Sequence, residues 1–246
     1  MRCGGHTTCL MMKTLTEWGR ALADVLMPRL CPVCGKALVA DERYICRGCL
    51  AALPRTHLEE VDFNAMEQLF AGKVPVERAT GYFYYQKSSP YAQILFDIKY
   101  RNRPQMGRWL TARAAGDLRA SGFFDGIEVI VPVPLHPSKL AQRGYNQSDY
   151  LAQGLAQVLK LPIIQALKST RAHGSQTRRG ATDRWLNAQN TYTLRTSHSQ
   201  QLAGKHILLV DDVVTTGATL EACAHALLAI PGTRVSLFTL ATARLD

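Results

Sequence analysis

The chain predicts an α/β domain on a mainly parallel sheet, preceded by a small cysteine module. Three observations carry this. From residue 79 onward, short apolar runs alternate with stretches of helical period. Runs such as EVIVPV are too short for buried helices and are stopped by prolines. Four cysteines fall into two Cys-x2-Cys pairs between residues 31 and 49, a spacing that points to metal ligation.

Taken in order, residues 14–27 place Leu15, Trp18, Leu22, Val25 and Leu26 on one helical stripe, which Pro28 ends. The opposite face carries Lys13, Glu17, Arg20 and Asp24 with no basic excess, so packing against protein is favoured over lying on a membrane. Residues 31–49 form a separate unit, followed by a linker containing Pro54, Gly72 and Pro75. The expected organisation is an N-terminal extension with an amphipathic helix over 1–27, a cysteine module over 28–54 and a large domain over 76–246.

Within the large domain, Ala79–Tyr85 reads as a strand, and Tyr91–Tyr100 and Met106–Arg119 as helices. Glu128–Val133 is a buried strand, Asn146–Leu159 a helix, and Pro162–Leu167 another short strand. Lys205–Val210 is followed by a helix from about Ala218 to Leu228, and Arg234–Ala241 closes the chain as a strand. No internal repeat or low-complexity tract appears.

Hydrophobic content of 47% and charged content of 20% are ordinary for a soluble globular protein. No apolar run approaches the ~18 residues needed to cross a bilayer. The opening MRCGGHTTCLMMK lacks the apolar core of a secretory signal, so a cytoplasmic protein is expected. Net charge is +10, which favours anionic partners: phosphorylated small molecules, nucleic acid or a membrane surface. The excess is uneven, with six basic and two acidic side chains from Asp97 to Arg119, and five against one from Lys168 to Arg184.

Cys31, Cys34, Cys46 and Cys49 can offer four thiolates to a tetrahedral zinc ion, with Gly35 and Gly48 permitting tight turns. Four sulfur ligands leave no open position, so the zinc would be structural and would hold about twenty residues that lack a core of their own. Two disulfides or an iron–sulfur cluster are the competing readings of this spacing. Cys3-x2-His6-x2-Cys9 suggests a weaker second site, and starts at Met11 or Met12 would place residues 1–10 outside the native sequence.

The densest polar signal is VDDVVTTGAT. His206–Val210 delivers Asp211 and Asp212 to the C-terminal end of a strand, the edge where open α/β sheets bind ligands. Adjacent carboxylates can accept hydrogen bonds from the vicinal diol of a ribose or help position a divalent cation. Thr215, Thr216 and Thr219 supply hydroxyls, Gly217 allows close approach, and a helix N-terminus follows at Ala218, together a phosphate cradle. A P-loop is excluded because no lysine follows Gly217. A receiver domain is excluded because the 34 residues after Asp212 contain no lysine. A merely capped helix explains one threonine but not two acids and three threonines.

Ile207–Thr219, ILLVDDVVTTGAT, resembles the thirteen-residue phosphoribosyl-pyrophosphate (PRPP) signature of type I phosphoribosyltransferases. The wider chain, over roughly residues 28–246, resembles the ComF/GntX family. Its cysteine module, its PVP at Pro132–Pro134, its RGYNQS at Arg143–Ser148, and Gln176, Arg184 and Asn187 follow the family's order. The resemblance implies a type I phosphoribosyltransferase-like parallel sheet flanked by helices, with an N-terminal zinc ribbon. It implies PRPP contacts from Asp211, Asp212, Val213, Thr215, Thr216, Gly217, Ala218, Thr219, Pro134 and Arg184. Lys139 and Arg143, in the loop Val133–Arg143, would face the diphosphate and join Asp211 and Asp212 as the catalytic set.

The resemblance further implies a closing loop over Arg171–Asn187, where Arg178, Arg179 and Arg184 would shield negative charge; an ordinary exposed basic loop is the other reading. Catalysis, where it occurs, would displace pyrophosphate at the anomeric carbon with magnesium, through electrostatic stabilisation of the leaving group. The acceptor site of such an enzyme is not evident in the sequence, and fewer than 80 residues precede the domain, too few for a glutaminase. The family is associated with DNA uptake during competence and use of external DNA. This implies single-stranded DNA and other competence proteins as partners, at the inner face of the membrane. Tyr82, Phe83, Tyr84 and Tyr85 could stack bases, although strand alternation would bury about half of them. The alternative function is an active magnesium-dependent phosphoribosyltransferase in nucleotide salvage.

Overall fold

The apolar runs become neighbouring strands. The computed structural model describes residues 28–170 and 191–244, in two units that meet at Leu53 and Pro54. Among its described residues the first contains one short helix, α1 (Arg47–Ala51), and an antiparallel bridge between Leu30 and Ala37.

The second unit runs α2 (Ala65–Phe70), β1 (Ala79–Tyr85), α3 (Ala92–Tyr100), α4 (Pro104–Asp117), β2 (Val129–Pro132), α5 (Pro137–Arg143) and α6 (Gln147–Leu159). It continues with β3 (Leu167–Ser169), β4 (Tyr192–Leu194), α7 (Ser199–Leu202), β5 (His206–Val214), α8 (Ala218–Leu228) and β6 (Arg234–Ala243). Four strands form one parallel sheet in the order β1-β6-β5-β2, with Leu209 opposite both Val131 and Leu237. Parallel strands need crossover connections, and helices supply them on both faces.

Alternation along the strands separates two cores. Val129, Val131, Ile207, Leu209, Val235 and Leu237 share a cluster with Leu220, Cys223 and Leu227 of α8. Ile130, Leu208, Phe238 and Leu240 are equally buried, and α4 and α6 pack against the strands that carry them. The two helices approach closely at Gly154, where an added Cβ would stand 2.1 Å from Thr111 Oγ1 and 2.2 Å from the Arg108 carbonyl. Thr111 Oγ1 in turn donates to the Leu151 carbonyl across the helix pair at 2.8 Å.

Several expectations change. Pro162–Leu167 is not a strand: Ile163 makes one parallel bridge to Ile130, and the chain then turns into the separate antiparallel pair β3–β4. Val133–Arg143 is not all loop, because Pro137 occupies the first turn of α5 and His136 caps it, accepting from the Ser138 amide at 3.2 Å. Residues 54–75 are packed rather than a free linker: Asn64 caps α2, and Met66, Phe70 and Val74 are buried. Tyr82 and Phe83 are both buried, with the Tyr82 hydroxyl donating to Asp117 at 2.6 Å, so neither is free to stack a base. The amphipathic stretch 14–27, the Cys3–His6–Cys9 set and the Arg171–Asn187 segment lie outside the described residues.

Candidate ligand cavity and cysteine cluster

β5 extends to Val214, so Asp211 and Asp212 lie within the strand rather than beyond its end. Successive strand side chains diverge, and the two carboxylates meet different partners. Ser148 Oγ, at the start of α6, donates to Asp211 Oδ1 at 3.0 Å, and the Asp212 amide donates to the same oxygen at 2.8 Å. Lys99 Nζ of α3 stands 2.8 Å from Asp212 Oδ1. Asp212 Oδ2 is buried and has no hydrogen-bond partner among the described residues.

Electrostatics follow from that geometry. Burial, reinforced by the neighbouring Asp212 charge, raises the Asp211 carboxyl to about 7. Burial works against the Lys99 charge, but attraction to Asp212 and Asp211 outweighs it and raises the ammonium above its ordinary value. Lys99 is thus a fixed counter-ion for a carboxylate pair that would otherwise be strained by its own repulsion.

Both acids line a cavity of about 250 Å3. Lys139 and Arg143 of α5 also line it, as does Lys99, while Pro134 and Val133 come from the turn after β2. Arg143 is held in place by a hydrogen bond to Gln147 and lies over the Tyr100 ring at 5.2 Å. Tyr192 of β4 completes a further side and is hydrogen-bonded to Thr219. Carboxylates and cations in one cavity suit a ligand carrying both hydroxyls and phosphate. A larger recess, about 370 Å3, is lined by Phe63, Glu67 and Glu77, but Glu67 is engaged by Arg78 and the α2 cap.

Of the residues singled out from the sequence, Asp211, Asp212, Val213, Thr219, Pro134, Lys139 and Arg143 come together around this cavity. Thr215 and Thr216 are exposed in the adjoining turn, and Ala218 is exposed at the start of α8. Gly217 adopts φ 79°, and a Cβ there would meet Phe70 Cε1 at 2.9 Å. Its freedom is therefore required by α2 packing as well as by the turn. Arg184 lies outside the described residues. Lys99, Tyr100, Ser148 and Tyr192 were missed. Ser148 and Gln147 stand within the RGYNQS segment, and Lys99 within a basic cluster, but no local spacing links them to Asp211 and Asp212.

In the first unit, the sulfurs of Cys31, Cys34, Cys46 and Cys49 all lie within 4.8 Å of one another. Cys34 and Cys46 Sγ are 3.7 Å apart, near the ~3.8 Å edge of a tetrahedron with ~2.3 Å zinc–sulfur bonds and far from an S–S bond. The set can hold a metal ion such as zinc. Gly35 takes φ 73° and closes the first pair through its amide, which donates to the Cys31 carbonyl at 2.9 Å. The second pair is closed differently: Cys46 caps α1, its sulfur accepting from the Cys49 amide at 3.4 Å. Gly48 lies inside that helix, so it serves no tight turn. Burial opposes ionisation of Cys31, but the Cys46, Cys34 and Val33 amides donate to its sulfur and lower the thiol to about 7.

Comparison with known proteins matches residues 145–245 to the phosphoribosyl transferase domain. Competence protein F of Haemophilus influenzae is 40% identical over 96 residues, covering 38% of this chain and 41% of that protein. DNA utilization protein YhgH of Escherichia coli is 28% identical over 224 residues, covering 89% of this chain and 88% of that protein. Competence protein ComFC of Bacillus subtilis is 32% identical over 100 residues, which span 38% of its length. The glutamine PRPP amidotransferase of B. subtilis aligns with 59% of this chain and 30% of its own, at 17% identity and a TM-score of 0.41, too loose to transfer any residue.

Proposed function

We propose that the chain is a ComF-type protein of the phosphoribosyltransferase fold that serves DNA uptake and utilisation, with PRPP or a related phosphorylated ribose as its cavity ligand. One observation carries the ligand assignment: a buried carboxylate pair and two cations, Lys139 and Arg143, line a single cavity. In this reading, the ribose diol donates to Asp211 and Asp212, and the diphosphate lies towards Lys139 and Arg143. Thr219 and the amides at the α8 N-terminus receive the 5′-phosphate, with Thr215, Thr216 and Gly217 forming the turn beside it. Asp212 Oδ2, lacking a partner, fits a hydroxyl donor or a water held by magnesium. Magnesium would supply charge neutralisation for the diphosphate; the chain's own part is to orient the sugar and exclude water.

The four cysteines are assigned a structural zinc ion, since every metal position is filled by sulfur. A second reading, active phosphoribosyl transfer, draws on the same two cations, since Lys139 and Arg143 line the cavity and would stabilise a departing pyrophosphate.

Calorimetry tests the cavity. Asp211→Asn with Asp212→Asn should weaken PRPP binding at least tenfold without altering zinc content; unchanged affinity rejects the assignment. Pyrophosphate release with PRPP, magnesium and a panel of bases separates the two readings. Release dependent on one acceptor supports the transferase, whereas salt-sensitive binding of single-stranded DNA without release supports the uptake role.

A further inference from the structure

We infer that an exposed ladder of aromatic and guanidinium groups beside the acidic cavity is a docking surface for single-stranded nucleic acid, whose bases stack on Phe96 and Tyr100. The inference rests on the nucleic-acid reading above and adds a location to it. Phe96 and Tyr100 are four residues apart on α3 and therefore share one face. They are 46% and 67% exposed, a large aromatic area to leave in water. Their ring centroids lie 5.2 Å apart. The Arg101 guanidinium lies 5.5 Å from the Phe96 ring, and Arg143 of α5 lies 5.2 Å from the Tyr100 ring.

Charge selects the occupant. On α3 itself the carboxylate is Asp97, which is buried and shared by Arg101 at 3.6 Å and Arg103 at 3.2 Å. Two guanidinium groups against one carboxylate leave a positive excess. Arg143 adds to it, since its hydrogen-bond partner Gln147 is neutral. Lys139, Arg143 and Tyr100 also line the cavity, together with Lys99 and the two acids, so the ladder adjoins the cavity and shares its cations. An apolar protein partner would gain nothing from guanidinium groups interleaved with the rings. A single strand uses both, stacking bases on the π faces and setting phosphates against the cations.

The test is fluorescence anisotropy with a labelled oligothymidine of about 15 nucleotides and an abasic strand of the same length. The wild-type chain should bind both, the oligothymidine more tightly. Phe96→Ala with Tyr100→Ala should weaken the oligothymidine by about tenfold or more while shifting the abasic strand less than about twofold. Circular dichroism should be unchanged, because both side chains are exposed. Equal binding of oligothymidine by variant and wild type overturns the ladder assignment and leaves DNA handling standing. No binding of either strand by the wild type overturns both. Self-association of the wild type that vanishes in the variant, with DNA affinity unchanged, gives the ladder to a second copy of the chain and also overturns it.

Discussion

Asp211 and Asp212 concentrate two carboxylates on consecutive buried residues, and the protein balances them with a lysine from a distant helix. Removing that lysine leaves Asp212 with an uncompensated charge. Lys99→Met should therefore cost about 2 kcal/mol in urea denaturation, a value reduced from the fully buried case because the Lys99 side chain is 21% exposed. Adding Asp212→Asn should recover part of the loss, and full additivity would show that the pair does not interact. Asp211 gives a pH signature. Its folded carboxyl titrates at about 7 against about 3.9 in an unfolded chain, so the folded state binds more protons between those values. The contribution of Asp211 to stability should be greatest below pH 4, fall as pH rises towards 7 and then level off. Asp211→Asn should abolish this decline and raise stability by about 3 kcal/mol at pH 8, measured by melting across pH. The same change should weaken the ligand, the expected conflict between a stable site and a functional one.

The turn joining β5 to α8 is constrained from two directions. Gly217 has a left-handed backbone, and a methyl group there would press on Phe70 Cε1 at 2.9 Å and Leu69 Cδ2 at 3.1 Å. Gly217→Ala should cost about 2 kcal/mol in chemical denaturation, combining backbone strain with a clash that α2 must yield to. A neutral substitution would mean that α2 is loosely held. Most elements of this kind were legible in the sequence, because β1, β2, β5 and β6 are short apolar runs bounded by breaks and α6 and α8 carry a period of 3.6. The losses have physical causes. Pro162–Leu167 has the composition of a strand, but only Ile163 reaches a neighbour, and pairing is a tertiary property. α5 was read as loop although Pro137 after a capping His136 is a start signal. In the site, Asp211, Asp212 and Thr219 could be read because they are contiguous. Ser148 meets Asp211 across 63 residues, and Lys99 reaches Asp212 from still further back, and no local pattern encodes such meetings.

At the scale of the whole molecule, the two units rely on different sources of stability. The larger has a two-sided sheet and a continuous apolar core. Between Pro28 and Leu53, the buried apolar side chains are Cys31, Leu38, Ile45 and Leu53, too few to offset the conformational entropy of that segment. A metal ion on the four sulfurs would supply the missing free energy, since ligation and folding are then one process. Cys46→Ser with Cys49→Ser removes two of the four ligands and also the sulfur that caps α1. The expected outcome is loss of zinc by elemental analysis, from one ion per chain to none, together with rapid proteolysis within residues 28–53. Because the larger unit owes its core to β5, β6 and α8, its urea transition should persist in that variant. Retention of a full equivalent of zinc would show that the metal is bound elsewhere, and the cysteine cluster would then need another explanation.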